Sequence, residues 1–310
     1  METPHVSVLL KECIDNLNIK DNGVYLDGTL GLGGHSLEIA KKLTTGKLIC
    51  VDKDDFAINY SKQRLSDYLD RVTFVQSDFR NINDILDGLG IDKIDGMLFD
   101  LGVSSPQLDD ISRGFSYMHD APLDMRMDRR SPITAADIVN GRSEQELAEI
   151  LFTFGEERYS RRIAEKIVKY RNTKAIETSG ELVEIIKSAL PAQALREKQH
   201  PAKRSFQAIR IAVNDELNAV SEMMEAAPDR LNAGGRLCVI SFHSLEDRIV
   251  KQKISARENG CTCPREAPVC TCGFVQTLKN VYRKPVLPSE SELETNPRSR
   301  SAKLRVAERV

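Results

Sequence analysis

Four short apolar runs, each ending on or next to an aspartate, constrain this chain more than any other feature. They are Val24 to Asp27, Lys47 to Asp52, Arg71 to Asp78 and Ile94 to Asp100. Most are separated by helical patterns such as Ser36 to Leu43 and Phe56 to Leu69. Strand and helix in alternation predict a parallel sheet with helices on both faces. Because such crossovers share one hand, the loops at the carboxyl ends of the strands meet on one rim. Asp27, Asp52, Asp78 and Asp100 should therefore line that rim.

The pattern then changes. Residues 109–204 hold loops rich in Pro, Asp and Met, followed by helical stretches at Gln145–Phe154, Tyr159–Tyr170 and Gly180–Leu190, with no strand of comparable strength. This predicts an inserted helical domain at 109–204, with 1–108 and 205–310 forming the sheet domain. Phe206–Leu231 reads as one long helix, Arg236–Phe242 as a strong strand, and Lys279–Leu287 with Ala302–Val310 as an antiparallel edge pair. At 310 residues and 41% hydrophobic, the chain can bury a large core. No apolar run approaches the roughly 18 residues of a membrane span, and the first residues lack the pattern of a signal peptide. A cytoplasmic protein with no membrane partner is expected. Of seven cysteines, Cys13, Cys50 and Cys238 sit in apolar contexts and read as small buried thiols.

The first strand runs into Asp27-Gly-Thr-Leu-Gly-Leu-Gly-Gly-His35. Gly31 and Gly33 permit a tight turn and close approach of a ligand, and Gly34 and His35 open the next helix. The spacing falls short of the dinucleotide fingerprint, and an aspartate beside the helix start would repel a pyrophosphate. A cationic or zwitterionic ligand suits it better. Asp52 is placed to accept from a ribose diol, and Asp78 with Phe79 to face an adenine amine and its ring. S-adenosylmethionine meets these demands; a nicotinamide cofactor and a purely structural glycine turn are the competing readings. After the fourth strand come Asp100, Ser104, Ser105, Pro106 and Gln107, similar to the acceptor-rich motif of methyltransferases that act on exocyclic amines, but without its aromatic. Phe115 and Tyr117 are candidates for the missing ring, and an ordinary turn is the plain alternative.

Several separated motifs, in order, resemble the small-subunit ribosomal RNA cytosine N4-methyltransferase family (RsmH, formerly MraW). They are Asp27–Ser36, Val51–Asp54, Asp100–Asp109, Gly114–Tyr117 with Asp120–Asp128, Phe154–Ala164, Ser241–Lys251 and Asn296–Arg305. The resemblance implies an α/β class I S-adenosylmethionine-dependent methyltransferase with a Rossmann-like mixed sheet, an antiparallel edge strand and a helical insert. It implies methylation of N4 of a cytidine in the decoding region of 16S rRNA, and carries cofactor roles to Gly33, Gly34, His35, Asp52, Phe79, Asp100 and Gln107. With the rim residues Asp27, Gly31 and Asp78 these make up the expected cofactor set. Asp100, Ser104 and Ser105 are the expected catalytic acceptors. His243, after the fifth strand, is a candidate proton carrier, against a structural role or RNA contact.

The net charge of -2 hides two basic stretches: 156–204 has 12 basic against 7 acidic residues, and 248–310 has 13 against 6. Phosphate contacts are expected from Arg158, Arg161, Arg162, Lys166, Lys169, Lys203, Arg204, Arg298 and Arg300. The partner would be 16S rRNA, within the small subunit, and the protein a monomer or homodimer. A regulator or assembly factor that senses S-adenosylmethionine, and a methyltransferase of DNA or protein amides, are the other classes open. Cys261, Cys263, Cys270 and Cys272 form C-x-C, six residues, C-x-C. They suggest a structural zinc that would order the loop around Arg265, although such sites favour two to four residues between paired ligands. Unligated thiols and a redox pair are the alternatives.

Overall fold

In the computed structural model, which describes residues 7–264 and 271–310, the apolar runs become strands. These are β1 (Val24–Asp27), β2 (Lys47–Asp52), β3 (Val72–Gln76), β4 (Ile94–Asp100), β5 (Leu231–Ser241), β6 (Leu278–Asn280) and β7 (Lys303–Arg309). The sheet order is β3-β2-β1-β4-β5-β7-β6. Strands β1 to β5 pair in parallel, and β7 runs antiparallel to both β5 and β6. The order reverses between β1 and β4, the place where open α/β sheets leave a crevice beyond their carboxyl ends.

Two units are resolved: residues up to Gly102 with Leu217–Val310, and Val103–Glu216. In the sheet unit, alternate side chains of one strand serve opposite cores. Leu48 and Cys50 of β2 join Leu98, Ile240 and the helix residue Ile39 on one face, while Ile49 and Val51 join Met97, Phe99 and Val239 on the other. Cys13, Cys50 and Cys238 are fully buried as expected, and burial pushes all three thiols up.

The second unit is helical, with helices at Ala135–Gly141, Glu144–Gly155, Ser160–Arg171, Ser179–Ala189 and Lys203–Asn214. Thr134, Ser143 and Thr178 start three of them with reciprocal capping boxes. The unit begins and ends elsewhere than 109 and 204, because the helix Lys203–Asn214 turns Phe206, Ala208, Ile209 and Val213 into its core. The expected long helix 206–231 is interrupted. Asp215 takes a left-handed conformation (φ 49°) between Lys203–Asn214 and Glu216–Ala226, a geometry that Asp tolerates better than most residues. The edge strand expected at 279–287 is also shorter. It pairs only over Leu278–Asn280 and again through a single bridge from Val286 to Leu304, and Pro285 between them has no N–H to give.

Leu48 lies in β2, between β1 and β3, and is fully buried. Leu48→Ala should lower the unfolding free energy by about 2–5 kcal/mol through lost burial and a residual cavity, read as a reduced urea midpoint. Leu69→Ala, at a side chain 55% exposed, should change it by less than about 0.5 kcal/mol.

Candidate functional site

The carboxyl ends of β1, β2 and β4 bring three carboxylates to one rim, and the turn after β1 ties them together. Gly28 donates to Leu98 O and Leu30 to Val51 O, so the turn is bonded to both neighbouring strands. A Cβ at Gly28 would stand 2.2 Å from the Phe99 ring, and one at Gly34 1.9 Å from Ser7 Oγ. Gly31 (φ 50°) and Gly33 (φ 72°) hold left-handed backbone that a side chain would strain. Thr29 accepts the Asp100 N–H on its hydroxyl (2.5 Å) and donates its own N–H to Asp27 (3.2 Å).

Asp27 was expected to face a ligand. It is instead 1% exposed and accepts from Ser36 Oγ at 2.6 Å, so it braces the turn. His35, also expected at the ligand, is buried and hydrogen-bonds the Val8 carbonyl through Nε2 (3.0 Å), with Nδ1 4.0 Å from Asp100 Oδ2. Asp52 accepts from Gly31 N (2.8 Å) on one oxygen and Asp54 N (2.9 Å) on the other, and each oxygen retains a lone pair. Asp78 caps the short helix Phe79–Asn81 and lies 3.5 Å from Lys53 and 3.6 Å from Arg80. Phe79 meets Phe99 edge-on at 5.8 Å.

Burial raises the Asp27 and Asp52 carboxyls to about 6. Burial, then the neighbouring Asp27 and Glu246, push Asp100 well above the usual carboxylate range. Among the described residues Asp100 Oδ1 is buried with no hydrogen-bond partner. A rim whose acids are raised together and where one buried oxygen lacks a donor suits a ligand bearing positive charge and N–H groups. S-adenosylmethionine, with its ammonium and sulfonium, fits that test; a phosphate does not.

His243 takes a different place from a proton carrier. It caps the helix Ser244–Asn259, with Nδ1 accepting from Glu246 N (3.4 Å). Its Nε2 stands 3.1 Å from Glu246 Oε1, short of hydrogen-bond alignment. Glu246, 1% exposed, returns Oε2 to Phe242 N at 2.8 Å. A general base needs an open lone pair, and the one on Nδ1 is engaged. Sequence reasoning missed Thr29, Ser36 and Glu246; only the last carried a signal, as the third residue of a capping box.

In the helical unit, Ser104 opens the helix Ser105–Asp109, its N–H bonded to Gln107 Oε1 at 3.0 Å. Ser105 and Gln107 are buried, and the Gln107 side-chain carbonyl closes a capping box. Phe115 is corrected too: it is 6% exposed and part of the core, with the Arg113 guanidinium over its ring. Tyr117 is half-buried and stacks on His200 at 4.6 Å with 14° between planes. His200, Tyr159, Arg158 and Arg204 line one pocket of this unit. Arg158, Arg161, Arg162, Lys169 and Lys203 are exposed, with Lys166 and Arg204 half-buried. In the sheet unit Arg298 and Arg300 are exposed as well. Cys261, Cys263 and Cys272 lie close together, whereas Cys270 and Arg265 fall outside the described residues.

Asp27 gives a pH test. Its carboxyl is raised from 3.8 to about 6, so the folded chain keeps this proton where the unfolded chain has lost it. Stability relative to Asp27→Asn is thus lost as pH climbs from about 4 to 6, by ~3 kcal/mol at 1.36 kcal/mol per pH unit. Urea unfolding of both proteins across that range should show it, and parallel curves would refute the assignment.

The model of the MraW methylase family matches residues 2–310. Ribosomal RNA small subunit methyltransferase H of Brevibacillus brevis (strain 47) is 57% identical over 307 residues, covering 99% of this chain and 98% of that one. The protein of the same name from Clostridioides difficile (strain 630) is 55% identical over 311 residues, covering all of both. Among the described residues no helix is long and apolar enough to cross a membrane. With a mixed seven-stranded sheet, a helical insert and a carboxylate rim at the switch point, the chain belongs to the MraW methylase family.

Proposed function

We propose that this protein transfers a methyl group from S-adenosylmethionine to N4 of a cytidine in the decoding region of 16S rRNA, in the cytoplasm and within the small subunit. The cytidine, its N4 and the ribosomal site rest on the family. The structural observation that supports the reading is the rim itself, above all the buried Asp100 oxygen without a donor.

When bound, S-adenosylmethionine offers an electrophilic methyl on a sulfonium. Asp52 accepts from the ribose diol with the lone pairs that Gly31 and Asp54 leave over. Phe79 flanks the adenine. Asp100 receives N–H groups, of the methionine part or of the target amine, and a nearby positive charge restores its ionised form against burial.

The exocyclic nitrogen is a weak nucleophile because its lone pair is conjugated with the ring. Acceptors on its hydrogens, Asp100 foremost, would favour the tetrahedral, more nucleophilic form of that nitrogen. Once methylated, the nitrogen carries one proton too many and is acidic enough to release it to water, so His243 is not needed as a base. To be reached, the cytidine must lie outside its stack. The basic helix Ser160–Arg171 and its neighbours hold phosphates, which fixes position without reading sequence.

Product analysis on naked 16S rRNA, assembled small subunits and DNA tests the reading. N4-methylcytidine in ribosomal RNA alone is expected; a product only in DNA, or none with any substrate, would overturn it. Asp100→Ala should reduce turnover by at least about 10²-fold, as loss of a transition-state acceptor does, with RNA affinity held within about twofold. His243→Gln should leave the shape of the pH–rate profile unchanged, and a lost limb in that profile would return His243 to catalysis. RNA affinity should fall with salt at about 0.7–0.9 per phosphate released, and the slope should flatten in Arg158→Ala/Arg162→Ala.

A further inference from the structure

The loop between the helix Ser244–Asn259 and β6 is anchored at its base. Thr277 donates to Arg257 O (3.0 Å) and Asn280 N to Glu258 Oε1 (2.8 Å). Gly260 packs so close to Phe274 that a Cβ would meet its ring at 2.7 Å. Further out, Cys261, Thr262, Thr271, Cys272, Gly273 and Val275 are all exposed. This stretch has almost no apolar core of its own.

Its sulfurs are nevertheless gathered. Cys261 Sγ and Cys272 Sγ are 3.6 Å apart, and the three sulfurs of Cys261, Cys263 and Cys272 all lie within 4.8 Å of one another. Thiolates about 2.3 Å from a tetrahedral zinc sit about 3.8 Å from each other; the 3.6 Å between Cys261 and Cys272 is close to that, and the other pairs lie within 4.8 Å. Thr271 donates its backbone N–H to Cys263 Sγ at 3.3 Å, with its hydroxyl at 3.7 Å. Such donors favour the thiolate and are the usual companions of a metal-bound sulfur. The one-residue spacers, unfavourable if Cys261 and Cys263 formed the close pair alone, matter less because Cys272 meets Cys261 across the loop.

We propose that Cys261, Cys263 and Cys272 bind a zinc ion that orders this loop. Three S–H protons pass to water as three Zn–S bonds form, with no change of oxidation state. The fourth coordination position is filled by a water or a further side chain. Soft thiolates in a tetrahedral arrangement select zinc over hard divalent ions, and bonding to metal leaves the sulfurs protected from oxidation. The ion is structural: methyl transfer requires no Lewis acid, and the proposal stands apart from the methyl-transfer reading.

The test uses the full chain, purified under reducing conditions without chelator. About one zinc per chain is expected, with intense thiolate-to-metal absorption when cobalt replaces it and net proton release when zinc is added back at neutral pH. Cys261→Ser/Cys272→Ser should lower zinc affinity by at least about 10-fold. Should that variant fail to fold, the unaltered protein serves: removing zinc with a chelator should speed proteolytic cleavage at the loop, and zinc alone should reverse it. Fully reduced protein that carries no zinc and takes up none when it is supplied would overturn the proposal. So would iron in its place, a Cys261–Cys272 disulfide formed instead of metal uptake, or a double variant that keeps stoichiometric zinc.

Discussion

The hydrogen bond from Ser36 to Asp27, 2.6 Å long between side chains almost fully buried, is the contact on which the rest of the rim depends. It joins the last residue of β1 to the first turn of the next helix, and so fixes where the glycine turn between them must run. Once fixed, that turn hands its backbone to both sides: Leu30 to β2, Gly28 to β4, and Gly31 to the Asp52 carboxylate. Thr29 completes the circuit by receiving the Asp100 N–H. Loss of one member would release several, because buried polar networks are satisfied together or not at all.

The same circuit explains why acids that look alike do different work. Asp27 spends its oxygens inside the protein, on Ser36 and Thr29. Asp52 accepts one backbone N–H on each oxygen and still has acceptor capacity. Asp78 is matched by Lys53 and Arg80. Among the described residues, Asp100 alone of the four presents a buried oxygen with no donor. A cation entering near Asp100 meets a site already arranged for it, so little reorganisation remains to be done at binding, which is where preorganised sites gain affinity.

Much of this was legible in the sequence, and the failures have physical causes. The strands were readable because parallel strands buried on both faces are continuous apolar runs of fixed length. The break at Asp215 was not, since Asn214 donates to Met125 O and accepts from Met127 N, contacts far away in the chain. Phe115 and Tyr117 are two residues apart and equally aromatic, yet one joins the core and the other stacks at the surface. Their roles follow from the path of the loop, held by Arg113 bonding the carbonyls of Arg126 and Met127, and no local pattern announces that. His243 carried a catalytic signal by position and a capping signal by its spacing to Glu246; the structure follows the spacing.

The helix Ser160–Arg171 shows how one periodicity serves both fold and charge. Ile163, Ala164 and Ile167 recur at helical spacing and are fully buried, which leaves Arg161, Arg162 and Lys169 facing water. None of these three side chains makes a hydrogen bond or ion pair among the described residues, so their charge is not consumed there. A folded unit that keeps cations uncompensated beside Arg158 pays a cost in self-repulsion that neutral residues would avoid. Such a face suits an anion supplied from outside. Since phosphates repeat along any RNA, such a face supplies affinity and not choice. Selection of one cytidine must then arise where a base is held by its edges, and from the shape of the RNA that delivers it there.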